Sequence, residues 1–360
     1  MVVSVAEFGA NPHAPDNYTA FQQAIDACRQ RKASKLIIPR GVYHFRSHSP
    51  LYFSGFTDFV LDGQGAELIF HKSRYMKWKN CRRIVIKNVI LDWDWGKEPL
   101  AYLAKIVNIG TNHRFLDFKF FNVRKIDKGI RWRSMIPLDH ATLRPGLPGK
   151  REVWNPAFNT VESLAPDVLR VYPAKSSRFT RYEVGDFVCV RTYVYEYHAI
   201  SFKDVSHVLL DSINIYSAAG MGFVVSGDSH HMAWKKCRIE PRPGTRRPIS
   251  ITADGIHVSD SNGYLSIENC VFDGQGDDAI NIHDKVSKGF TRLTSNKIIL
   301  HGVASWRNHH KPGHVIEFRN PDFSPTGFSA TITEVLDEDK KICLTFDKEI
   351  PSEISTQSLL

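Results

Sequence analysis

Three nine-residue stretches share one pattern: "RIVIKNVIL" (83–91), "HVLLDSINI" (207–215) and "YLSIENCVF" (264–272). Each runs through an apolar triplet, a polar or Asn position, and a second apolar pair. Polar turns separate these runs from others such as "TDFVLDGQGAELIF" and "HHMAWKKCRIE". A short strand of this kind cannot bury its apolar face alone, so it must stack on its neighbours. Strand-rich repeats of roughly 20 to 30 residues with no helix between them predict a parallel β-helix. The expected fold is therefore all-β, a right-handed parallel β-helix.

The pattern has a beginning and two breaks. "DNYTAFQQAIDACRQRK" places Phe21, Ile25 and Cys28 on one helical face, with Asp16 or Asn17 as N-cap. That helix is expected to cap the first coil's open edge. Pro-rich loops and strands such as "DFVCVRTYVY" interrupt the pattern, which then resumes at "VSHVLLDSINI". Near the C-terminus, "NKIILHG", "HVIEFRNP" and "SATITEVLDEDKKICLTF" read as antiparallel strands. The predicted organisation is a cap and first coils over 1–96, an inserted β-barrel-like subdomain over 97–195, and site-bearing coils over 196–285. A second inserted β-barrel-like subdomain over 286–351 and a tail over 352–360 complete it.

Composition removes several function classes. The chain of 360 residues is 42% hydrophobic and 24% charged, ordinary for a protein with a packed core. No apolar run of about 18 residues is present, so no membrane span is expected. The six cysteines form no CxxC pair, which excludes a zinc site of that kind and gives no disulfide framework. The net charge of +9 is spread along the chain without a basic block, so no nucleic-acid partner is expected. The opening "MVVSVAEFGANPHAPDN" lacks the parts of a signal peptide. That predicts a cytoplasmic protein, or a secreted or periplasmic one if a presequence has been trimmed.

"TADGIHVSD" and "GQGDDAINIHD" carry the chemistry. Gly255 and Ala279 open two strands 24 positions apart, one coil of a solenoid. Strands about 4.8 Å apart then put Asp254 and Asp278 in one column, with Asp277 one position earlier. Alternation turns Ile256, Val258, Ile280 and Ile282 inward and His257, Asn281 and His283 outward beside the acids. Strict alternation would also bury Asp254 and Asp278, so a bend is expected before each strand. Close carboxylates repel, one is expected to keep its proton, and a protonated acid beside ionised carboxylates suits glycosidic hydrolysis. A turn-forming role and calcium binding are the structural alternatives.

The stretch from "MGFVVSGDSHHMAWKKCRIE" to "ENCVFDGQGDDAINIH" resembles glycoside hydrolase family 110, the inverting exo-acting α-galactosidases that remove terminal α-1,3-linked galactose. The opening "VAEFGANPHAPDNYTAFQQAIDAC" resembles the capping segment of pectate-lyase-type β-helix proteins. The resemblance covers most of residues 1–351 and implies two barrel-like insertions. It implies Asp277 as general acid, and Asp254 and Asp278 as the pair that positions and deprotonates water. An inverting pair implies carboxyl groups roughly 6.5 to 9.5 Å apart. The family continues into further coils where this chain reads "PSEISTQSLL".

His257, Asn281 and His283 are the candidate substrate contacts beside the acids, and Trp93 and Asp92 in "LDWDWGK" the candidates on the preceding coils. Arg242 and Arg307 are further candidate contacts. His230-His231 and His309-His310 read as surface polar pairs whose rings point oppositely. No cofactor and no metal are expected. The expected partner is a terminal α-galactoside glycan, and a homo-oligomer is left open. A polygalacturonase-like hydrolase and a non-catalytic glycan-binding β-helix are the competing readings.

Overall fold

The computed structural model describes residues 1–284, 286–302, 310–338 and 341–360. Its contacts divide it into two compact units, Met1–Ile282 and His283–Leu360.

The first unit is a parallel β-helix with an antiparallel sheet let into it. One parallel sheet orders Val2–Ser4, Lys35–Ile37, Thr57–Phe70, Arg82–Trp93, Ser206–Ile215, His230–Lys235 and Leu265–Glu268. A second orders Leu51–Ser54, Met76–Lys79, Ile200–Lys203, Phe223–Ser226, Ile256–Ser259 and Ile280–His283. Among the described residues the strand pairings within the two sheets are parallel, and inward residues stack in columns. Phe53, Trp78, Phe202, Val225 and Val258 form one such column by register, and all five are buried. The rings of Phe53 and Trp78 stack 3.9 Å apart. Truncating a residue in such a column costs about 2–5 kcal/mol, because neighbours above and below cannot collapse into the gap.

The recurring sequence pattern is a record of corners. Asn88, Ser212, Lys236 and Asn269 follow one another in register, and each has φ between 53° and 57°. Arg83, His207, His231 and Tyr264 form a second left-handed column, with φ between 52° and 56°. Asn tolerates this conformation better than most residues, which explains the Asn or polar position between the two apolar groups. The corner also corrects the reading of His230 and His231. With His231 at φ 53°, alternation fails and their Nδ1 atoms lie 2.7 Å apart.

The helix Tyr18–Gln30 buries Phe21, Ala24, Ile25, Ala27 and Cys28. Phe21 packs edge-on against Tyr43 and Phe45. Cys28, Cys81, Cys189 and Cys237 are buried, and burial raises all four thiols above the usual range. Among the described residues no helix is long and apolar enough to cross a membrane.

Met76–Lys79 pairs directly with Ile200–Lys203, so the chain leaves the solenoid after Trp93 and returns one coil higher. In between, seven strands from Ala101 to Arg191 form an antiparallel sheet. Its core includes Ile106, Phe118, Leu169 and Val188.

The second unit is a five-stranded antiparallel sheet, ordered Phe290–Arg292, Lys297–Leu300, Lys341–Phe346, Pro325–Glu338 and Val315–Arg319. The stretch expected as a tail is part of it: Leu359 bridges to Lys288 and Arg319, and Ile354 lies in the core. Apolar side chains there find cover only by folding back. Arg307 and His309 lie outside the described residues.

Candidate active site

Asp254 and Asp278 are stacked by the backbone ladder. Gly222 N donates to Asp254 O at 2.9 Å, and Gly255 N donates to Asp278 O at 2.8 Å. The same ladder pairs Phe223 with Ile256 and carries on from Ile256 N to Ala279 O. The chain bends at Thr252–Ala253 and at Gly276–Asp277, before each strand. Asp277 and Asp278 consequently reach the surface while Asp254 stays buried, 3% exposed. One carboxylate oxygen from each of Asp254, Asp277 and Asp278 lies within 4.8 Å of the others. Strand spacing sets that closeness.

Two of these carboxylates have a fixed partner. His257 Nδ1 lies 2.7 Å from Asp254 Oδ2, and Tyr195 donates its phenol proton to Asp277 Oδ2 at 2.6 Å. The three oxygens are near enough to hold a divalent cation. His257 and Tyr195 already engage one oxygen each of Asp254 and Asp277.

Tyr195 follows the last strand of the antiparallel sheet, and other contacts to the two turns come from the same sheet. Arg191, the last residue of Phe187–Arg191, is completely buried. Its Nη1 donates to the carbonyls of Thr252 and Gly276 (3.0 Å for Gly276), two residues before Asp254 and one before Asp277. Its Nε donates to Ser134 Oγ at 2.6 Å, and its Nη2 pairs with Glu152. The guanidinium lies over Trp154, whose ring stacks on Tyr195. Thr252 Oγ1 donates to Val194 O at 2.7 Å, and Arg144 pairs with Asp273 at 2.8 Å. A buried, forked cation of this kind fixes two turns at once.

His198 completes the surroundings of Asp254. Burial first, then the charges of Arg74 and His257, lower its pKa to about 4 against the opposing pull of Asp254. It is therefore neutral at neutral pH, and its Nδ1 accepts from Met221 N at 3.1 Å.

Several expected positions differ. Trp93 is buried, donates its Nε1 proton to Glu98 O at 2.7 Å and packs against Tyr193 and Tyr197, so it offers no sugar platform. Asp92 is buried between Arg242 and Arg247, at 2.9 and 2.7 Å, and serves to neutralise them. Arg242 is thereby committed to Asp92 and Glu67. Ile256 and Val258 face the core as expected, but Ile280 and Ile282 are exposed, 41% and 56%. Their strand is the last of its sheet, paired only with Ile256–Ser259 among the described residues. His257 and Asn281 are partly exposed and His283 is exposed. The sequence reading missed Tyr195, Trp154, Arg191, Glu152 and His198, since none lies in a repeat. The one signal available was the aromatic density of "RTYVYEYH" just before the repeats resume.

Comparison with known proteins gives this chain distant relatives. The chain is 25% identical over 342 residues to alpha-1,3-galactosidase B of Bacteroides thetaiotaomicron, covering 82% of this chain and 53% of that protein. It is 23% identical over 352 residues to alpha-1,3-galactosidase A of Shewanella woodyi, covering 88% and 57%. The chain is a relative of the alpha-1,3-galactosidases A and B. That agrees with the resemblance to glycoside hydrolase family 110 that its sequence carries. It spans just over half the length of these curated relatives. No family model matches it. Among solved structures, PfbA, a surface adhesin of Streptococcus pneumoniae, is similar at a TM-score of 0.33 and 11% identity, covering 72% of this chain and 48% of that one.

Proposed function

We propose that this chain is an inverting exo-glycosidase that removes terminal α-1,3-linked galactose from glycans, with Asp254, Asp277 and Asp278 as its catalytic carboxylates. The single observation that carries the reading is the meeting of these three carboxylates at one corner of consecutive coils, in a relative of α-1,3-galactosidases. Asp277, at the surface, protonates the leaving glycosidic oxygen. Asp254 and Asp278, one above the other, position and deprotonate the water. His257, Asn281 and His283 contact the sugar, and no cofactor takes part.

In this reading the β-helix is right-handed and the N-terminal helix caps it. The antiparallel sheets over about 97–195 and 286–351 are barrel-like insertions, and the first builds one wall of an exo-acting pocket. Support for that wall comes from Tyr195, Trp154 and Arg191.

One oxygen of each carboxylate lies within 4.8 Å of the others, shorter than the roughly 6.5–9.5 Å spacing of an inverting pair and nearer the roughly 5–5.5 Å of a retaining one. Stereochemistry must therefore be read from the product. The test is a screen of aryl α- and β-glycosides, α-1,3-galactosyl oligosaccharides and pectate, with the first-formed anomer followed by NMR. Release of β-galactose from α-galactosides is expected. Hydrolysis of pectate alone would replace the reading with a polygalacturonase-like one. Glycan binding without turnover would replace it with a non-catalytic one, and a retained anomer would overturn the inverting assignment.

A further inference from the structure

A cavity lined by none of the three aspartates lies where three loops of the first unit converge. It has a volume of about 680 Å³, within the usual range for a ligand site. Its lining includes Trp95 and Pro99 from the exit of the solenoid, Phe121 and Arg124 from the insertion, and Arg246 and Arg247 from the loop before Ile256–Ser259. No Asp or Glu contributes to that lining.

The charges around it do not balance. Arg247 pairs with Asp92 at 2.7 Å, and Arg242 pairs with Asp92 and Glu67, so two arginines meet two carboxylates. Arg124 and Arg246 are exposed and have no carboxylate within ion-pair distance among the described residues. Two uncompensated guanidinium groups therefore face one cavity. Beside them the indole of Trp95 is held in place. Its Nε1 donates to Ser217 Oγ at 2.8 Å, and Arg247 lies 5.0 Å from its ring centre. Phe121 and Pro99 add apolar wall. An aromatic wall suits the apolar face of a sugar ring, and forked guanidinium groups suit a planar or tetrahedral oxyanion.

We propose that this cavity is a second saccharide site, separate from the aspartates, which binds a sugar unit carrying a sulfate ester or a carboxylate. The preference for a sugar rests on the proposed function, whereas the preference for an anion rests on Arg124 and Arg246. The site would hold a charged part of a long glycan while an uncharged terminus is processed elsewhere.

The test is calorimetric titration of the Asp277→Asn variant, which keeps the chain whole and prevents turnover. A sulfated galacto-oligosaccharide, an oligogalacturonate and a neutral galacto-oligosaccharide of equal length serve as probes. At least one anionic probe should bind at least tenfold more tightly than the neutral one, with affinity falling as salt rises. Which anionic probe binds distinguishes sulfate from carboxylate. Adding Arg124→Ser and Arg246→Ser, both at exposed positions, should remove that advantage. Equal binding of charged and neutral probes, no binding of either anionic probe, or an advantage that survives both substitutions would overturn the proposal. Wild-type turnover of a neutral aryl α-galactoside reports separately on the proposed function, so the two can fail independently.

Discussion

Tyr195 donates a 2.6 Å hydrogen bond to Asp277 across 82 residues of sequence, joining the insertion to the coil that carries the carboxylates. Desolvation, then the hydrogen bond and charge of Asp277, then the charge of Asp254, hold the phenol above the usual tyrosine range. With the ring 44% exposed, the hydrogen bond is the firmest of these causes. Tyr195→Phe removes one hydrogen bond to a charged group, worth about 1.5–3 kcal/mol. A fall in kcat of roughly 10- to 100-fold on an unactivated α-galactoside is expected, with the melting temperature nearly unchanged. An unaltered kcat would show that the contact is idle.

Asp277→Asn should abolish turnover of disaccharides with poor leaving groups. It should spare much more activity on aryl glycosides, whose leaving group needs little protonation. Asp254→Asn and Asp278→Asn should damage both substrate types alike. Steady-state rates on one substrate of each type check the assignment, and full activity of Asp277→Asn on the disaccharide would reverse it.

Arg191→Met deprives two carbonyls and Glu152 of their buried donor. Breaking a buried pair from one side costs about 3–5 kcal/mol, so a clear loss of thermal stability is expected. Adding Glu152→Gln should recover part of it by removing the stranded charge. Melting curves of the single and double variants decide this, and an unchanged single variant would mean that the clamp holds nothing.

Gly255→Ala should be among the more damaging small substitutions in the coil. The new Cβ would sit 2.4 Å from Ala279 O and 2.8 Å from Phe272, between the stacked aspartates' strands. Backbone cannot step aside as a side-chain tip can, so overpacking should cost about 1–3 kcal/mol or more. Chemical denaturation of the variant measures the cost.

His198 makes stability depend on pH. Its folded pKa of about 4 lies below the unfolded value near 6.5. Above pH 6.5 both states are neutral and the group contributes no slope. As pH falls from 6.5 towards 4 the unfolded chain takes up the proton first, so stability drops across that window and levels below it. The melting temperature of His198→Gln should fall less than that of the wild type between pH 7 and pH 4.5. Equal falls would assign the slope to other groups.

The coil architecture was legible because corners leave a mark on composition: Asn88, Ser212 and Asn269 stand where the backbone turns left-handed. The column of Asp254 and Asp278 was legible because one coil separates them. Periodicity identifies a face but not what covers it. Ile280 and Ile282 therefore looked buried, and Trp93 looked available until the packing of Tyr193 and Tyr197 was known. Arg191 and Tyr195 were hidden for a different reason. They belong to an insertion without repeats, and their partners at Thr252, Gly276 and Asp277 are distant in sequence.

That distance also orders events when the chain folds. Most stacked coils join residues a few dozen positions apart and can form one after another. The coil contact from Met76 to Ile200 and the Arg191 clamp, which spans 61 and 85 residues, must wait for distant halves. The carboxylate cluster should therefore be assembled late and lost early. In rising urea, the environment of Trp154 should change before the β-sheet signal does, leaving a solenoid that is still wound around a site already taken apart.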